Sequence, residues 1–169
     1  KCFCEEAFGK AVSMVDFSLR AISQREVNGG GGSIENPWRS RCWKLGRVVN
    51  FFGTVDEPKP GRHFACPELC AYGLRDPAED NSFYRKKMVL AATYAEIEQV
   101  DGTCPSDHKH VPIRGAVKDL SGKWVGRGVL SGTYPLLLGL EWGRAIAGAV
   151  LRPASSGAQR WAAHESLRI

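Results

Sequence analysis

The chain reads as an α/β protein. Its elements run helix, strand, helix, strand and antiparallel return strand, followed by an irregular Cys/His segment and a terminal helix. Three observations carry that reading. A helical apolar period occupies residues 5–27, a short strand near 32–35 runs into Asn36-Pro37 and a second helical period, and two β-rich runs flank a turn at Asp76-Pro77-Ala78-Glu79-Asp80-Asn81. Alternating helices and strands predict parallel pairing, whereas a strand returning through a short loop must be antiparallel.

In the first helix Phe8, Ala11, Val12, Val15, Leu19 and Ile22 fall on one face. Asn28 and the run Gly29 to Gly32 end it and predict a flexible joint. Asn36 then suits an N-cap, and Pro37 suits a first helical position that needs no N–H. Trp38, Cys42, Leu45, Val49 and Phe52 follow at helical spacing, so residues 37–52 are expected to be a helix stopped by Gly53. Pro58, Pro60 and Gly61 make residues 54–63 a loop. Residues 69–74 and 83–93 are expected to be strands paired as a hairpin. Residues 114–133 read as loop with a short hairpin. Thr133 is the expected cap of a helix over 135–151, with Leu137, Leu140, Ala145 and Val150 among its buried side chains. Residues 153–169 have no useful period and are expected to be a frayed tail. Trp38, Trp43, Trp124 and Trp142 are expected in the core or at its margin.

At 169 residues with 43% hydrophobic content, the chain fits one domain, or one domain and a tail. The net charge of +5 is spread along the sequence, so it permits an anionic partner such as DNA or RNA without requiring one. No apolar stretch reaches the ~20 residues of a membrane span. The first residue is Lys1, which suggests a segment of a longer polyprotein. Six cysteines without secretory context point to thiols or metal ligands, and so to an intracellular protein, nuclear or cytoplasmic.

Three clusters carry candidate chemistry. Glu35 and Asn36 would lie at the carboxyl end of a strand beside a helix N-terminus, where ligands sit in open α/β sheets. Capping and the favourable placement of negative charge explain the same two residues without a ligand. Cys104, His108 and His110 have a spacing compatible with zinc, with Cys70 or Cys66 as the fourth ligand. The two histidine rings share a face only if their segment is extended. Arg85, Lys86 and Lys87 can contact phosphates, although a charge run on an edge strand also guards against edge-to-edge pairing.

Glu35-Asn36-Pro37 after a strand, Tyr72-Gly73, and the basic Tyr84-Arg85-Lys86-Lys87 together resemble the second half of a class I S-adenosylmethionine-dependent methyltransferase fold, of the cytosine-C5 DNA methyltransferase kind. The segment also resembles open reading frames of retroelement-rich protist genomes. The resemblance implies a partial Rossmann-like methyltransferase sheet over residues 1–115, then an irregular segment and terminal helix over 116–152, then the tail 153–169. It implies that Glu35 and Asn36 address the target base, with Arg85, Lys86 and Lys87 on the nucleic-acid backbone. No Gly-rich cofactor loop and no Pro-Cys nucleophile loop are present. S-adenosylmethionine would therefore bind only in a longer parent, and the chain is expected to be an incomplete methyltransferase-like domain of a mobile-element polyprotein. The rival expectation is a non-enzymatic, zinc-stabilised module that binds nucleic acid or protein.

Overall fold

The computed structural model describes residues 3–119 and 121–152, with side chains from residue 6 onward. In chain order the elements are α1 (Phe3–Val27), β1 (Ser33–Pro37), α2 (Gly46–Phe52), β2 (His63–Ala65), β3 (Ser82–Tyr84), β4 (Met88–Ala92), β5 (Lys109–Val111), β6 (Ala116–Lys118), β7 (Trp124–Gly126), α3 (Arg127–Leu130) and α4 (Leu136–Leu151). Short 3-10 turns occupy Arg41–Lys44, Leu69–Tyr72 and Ala95–Val100. The expected tail at 153–169 lies outside the described residues.

Strand β4 organises the molecule. Its sequence Met-Val-Leu-Ala-Ala is apolar throughout, and all five residues are buried. A strand of that kind needs cover on both faces. Ala91 joins Leu19, Ile22, Cys42, Val48 and Phe52 under α1 and α2. Met88, Leu90 and Ala92 face the opposite way, with Tyr94, Ile97 and Val100 and with Leu138 and Ala145 of α4. The result is helix, sheet and helix in three layers. At ~1.5–3 kcal/mol for each large apolar side chain, these two clusters supply the main driving force for folding.

The α/β content is as expected, but the pairing differs. The three-stranded sheet has order β1-β4-β2 and is antiparallel throughout. Among the described residues, the parallel pair is β3 with β5, in a separate two-stranded sheet. The expected single strand over 83–93 is broken at Arg85 to Lys87 into β3 and β4. Residues 69–74 do not form a strand. They curl into the 3-10 turn closed by Gly73, whose φ of 87° is left-handed. The expected hairpin survives as isolated antiparallel bridges on either side of that turn, Glu68 to Lys87 and Arg75 to Phe83.

The helix expected over 37–52 is also corrected. Asn36 and Pro37 are the last residues of β1, paired with Val89 and Met88, and are not a cap and first helical residue. β1 is an edge strand, where proline's missing N–H costs nothing. A turn follows, held by the Ser40 amide donating to the Pro37 carbonyl at 2.8 Å. Ser40 then caps the 3-10 turn Arg41–Lys44 through the Cys42 amide, and α2 begins only at Gly46.

At Gly31 and Gly32 the glycine run is a tight connection instead of a loose joint, whereas Gly29 has open space around it. A Cβ on Gly32 would lie 2.6 Å from Ile22 Cγ1, and one on Gly31 would lie 2.7 Å from Thr93 Oγ1. Only glycine lets the chain pass that close to α1 and β4. In α1, Leu19 and Ile22 are buried as expected, while Phe8, nearer the N-terminus, is 49% exposed.

Helix α4 forms where expected, although Pro135 and not Thr133 holds its N-cap position. Its buried face is displaced from the expected one. Leu138 and Ala145 are inside, while Leu137, Leu140 and Val150 are exposed. The short hairpin expected within 114–133 is β6 with β7. Trp43 and Trp142 are half-buried, but Trp38 and Trp124 are exposed, against expectation.

Candidate metal centre

Four residues from three separate segments converge beside β5. Cys70 comes from the 3-10 turn Leu69–Tyr72, which Gly73 closes. Cys104 comes from the loop after Val100, and His108 and His110 flank Lys109 at the start of β5. His108 lies at the bend just before β5 and His110 within it, and their Nε2 atoms come together on one side. Parallel pairing with β3 sets His110 opposite Phe83. The Phe83 ring stacks on His108 with centroids 4.1 Å apart.

The ligand atoms lie within 4.8 Å of one another. Cys104 Sγ is 3.6 Å from His108 Nε2 and 3.5 Å from His110 Nε2. The two Nε2 atoms are 3.2 Å apart. A tetrahedral zinc with ordinary bond lengths requires about 3.3 Å between two nitrogens and about 3.6 Å between nitrogen and sulfur. The three spacings among Cys104, His108 and His110 match those values, and Cys70 Sγ lies within 4.8 Å of all three, so the group could hold one ion. Cys66, the other candidate for fourth ligand, lies outside the cluster, and its amide donates to Asp101 Oδ1 at 2.8 Å.

Outer contacts orient the ligands. His108 Nδ1 meets Asp107 Oδ1 at 2.8 Å, the carboxylate–imidazole arrangement that fixes Nε2 as the metal-facing nitrogen. The Cys104 amide donates to Glu68 Oε2 at 2.9 Å, and the Ser106 amide donates to Cys104 Sγ at 3.3 Å. Burial, then the neighbouring Cys104, push the Cys70 thiol up to about 11. Cys70 therefore stays protonated without a metal, and binding one must release its proton. Burial, then His108 and Arg85, lower the pKa of His110 and keep its imidazole in the neutral, ligating form.

The other candidate residues are arranged differently. Glu35 sits in mid-strand opposite Leu90 and not at a strand-to-helix junction, since α2 begins only at Gly46. Its carboxylate accepts a hydrogen bond from Tyr134 Oη. Burial raises its pKa, and nearby Lys86 partly offsets this. Asn36 Oδ1 accepts from Ser40 Oγ at 3.0 Å. The basic run divides in three directions. Arg85 lines the cleft of about 430 Å³ beside the Cys/His cluster. Lys86 Nζ donates to the Ser131 carbonyl at 2.9 Å, and Lys87 Nζ lies 4.4 Å from the centre of the Trp38 ring.

Sequence reasoning named the four residues that come together in the cluster but missed Glu68, Asp107 and Phe83, which contact them. An Asp directly before a His was the one available signal. Comparison of the chain with protein-family models, curated proteins and solved structures found no match. Among the described residues, no helix is long and apolar enough to cross a membrane.

Proposed function

We propose that this chain is a non-catalytic binding module stabilised by one zinc ion on Cys70, Cys104, His108 and His110, with nucleic acid as its partner. The carrying observation is the agreement of the Cys104, His108 and His110 spacings with a zinc tetrahedron. Four protein ligands fill the coordination sphere and leave no position for a substrate or an activated water, which is the pattern of a structural site. The ion would tie the 3-10 turn, the loop after Val100 and β5 into one body, and its binding free energy would add to folding. The basic charge supports an anionic partner.

The methyltransferase-like reading has less support from the geometry. It needs Glu35 free to hold a base edge, whereas that carboxylate is engaged by Tyr134 within the sheet.

The test is elemental analysis of the purified chain, repeated on Cys104→Ser with His108→Ala. One zinc per chain, lost in the double variant and followed by unfolding with chelator, is expected. Folded protein without metal, still cooperative in excess chelator, would overturn the proposal.

A further inference from the structure

The β1–β4 ladder brings together two basic stretches that are far apart in sequence. Residues 37–47 and 84–92 hold seven Lys and Arg and no Asp or Glu. These seven exceed the whole chain's net charge of +5, so the remainder is net acidic. The register pairs Pro37 with Met88, and the next step of the ladder sets Trp38 beside Lys87. The Trp38 amide donates to the Lys87 carbonyl at 3.0 Å. The Lys87 ammonium sits over the indole, a large apolar ring that is 42% exposed.

The turn that carries Trp38 is fixed. The Trp43 indole N–H donates to the Pro37 carbonyl at 3.0 Å, and Ser40 Oγ donates to Asn36 Oδ1 at 3.0 Å. Arg39, Arg41 and Lys44 are exposed on the same turn and the 3-10 segment after it. Among the described residues, none of these three, nor Lys87, has a carboxylate within ion-pair distance. Arg47, the next cation along, is by contrast paired with Asp16. The arrangement is an exposed aromatic ring with Lys87 over one face and Arg39, Arg41 and Lys44 close by, none of the four held by a carboxylate among the described residues.

We propose that this surface binds single-stranded nucleic acid, with a base stacked on Trp38 and flanking phosphates on Arg39, Arg41, Lys44 and Lys87. A stacking ring needs an unpaired base face, which a duplex does not offer. Recognition is by stacking and charge, so it tolerates many sequences. The proposal rests on the nucleic-acid part of the reading above and is independent of the zinc ion.

The test uses the full, metal-loaded chain. Fluorescence anisotropy with a labelled oligothymidine, over a range of salt concentrations, compares wild type with Trp38→Ala, Trp38→Phe and the double variant Arg39→Ser/Arg41→Ser. Arg20→Ser on the exposed side of α1 is the control. Trp38→Ala is expected to weaken binding roughly five- to 150-fold, the range for losing one stacked base, while Trp38→Phe retains most of it. The double variant is expected to lower the slope of log K against log salt by about 1.4, at ~0.7 per lost phosphate contact. All variants change exposed residues, so an unshifted thermal midpoint confirms that each is folded. Wild-type affinity in Trp38→Ala, or equal affinity for a duplex, overturns this surface assignment while leaving the module reading standing. No binding of single strand or duplex by wild type overturns the nucleic-acid reading itself.

Discussion

Substituting Asp107 by Asn isolates one outer contact of the candidate metal centre without touching a ligand. The Asp107 carboxylate accepts from His108 Nδ1 at 2.8 Å, which holds the ring with Nε2 toward Cys104 and His110. Loss of such a partner typically weakens metal affinity 10- to 100-fold. The structure places this case near the lower limit. The His108 side chain is only 6% exposed and is held by Phe83, but the Asp107 side chain is 72% exposed, so water can replace the lost acceptor. The expected loss is therefore about tenfold, or ~1.4 kcal/mol. Competition for zinc against a chromophoric chelator at fixed pH measures it. Removing Phe83's support with Phe83→Ala should add to the loss, because the ring would then be free on both sides. Unchanged affinity in Asp107→Asn would refute the claim that this carboxylate orients the ligand. A loss as large as that of Cys104→Ser would show that Asp107 is itself a ligand.

Three further outcomes follow from the packing and the electrostatics. Leu138→Ala should cost about 3 kcal/mol and lower the thermal midpoint by roughly 6–12 °C, whereas Leu137→Ala one residue earlier should stay within about 0.5 kcal/mol. Equal effects in thermal denaturation would contradict the assigned face of α4. Asp76→Asn removes the partner of Arg127, whose Nε donates to the buried carboxylate at 2.9 Å, and should cost about 3 kcal/mol in urea titrations. A neutral result would mean that the pair is dispensable. Glu35 has a pKa raised by burial, so the folded state holds its proton to higher pH than the unfolded chain does. Stability contributed by that proton is lost as pH rises from the ordinary value of 4.5 through the raised one. Glu35→Gln should then be more stable than wild type at neutral pH and no more stable below that window. Parallel pH–stability curves for the two proteins would refute the assignment.

Local signals were readable where one interpretation dominated. The period of α1 and the apolar stretch of α4 each gave the right element, whereas the segment of His108 and His110, expected to be irregular, holds the short strand β5. Asn36-Pro37 was ambiguous, because an N-cap followed by proline and the end of an edge strand use the same two residues. Pairing with Val89 and Met88 decided it, and that partner lies far along the chain. The face of α4 was unreadable for a different reason. Leu136, Leu137, Leu138 and Leu140 are apolar nearly all round the helix, so periodicity could not choose which of them faces Ile97 and Leu90. For the metal centre, Cys66 and Cys70 had equal claims by spacing. The turn Leu69–Tyr72, closed by the left-handed Gly73, carries Cys70 into the cluster, a geometry that spacing alone does not show.

The burial of β4 on both faces also fixes an order of events during synthesis. Helix α1 and strand β1 are complete long before their shared partner exists, since the Gly32 to Thr93 contact spans 61 residues. At a translation rate of roughly 5–20 residues per second, the Leu19 and Ile22 face of α1 waits about 3.5–14 s for Ala91, some 70 residues later. During that interval it is an uncovered apolar surface, open to chaperones or to another nascent chain. Shortening the wait by faster elongation, or covering the face with a chaperone that holds α1, would change the yield of folded protein without changing its final stability.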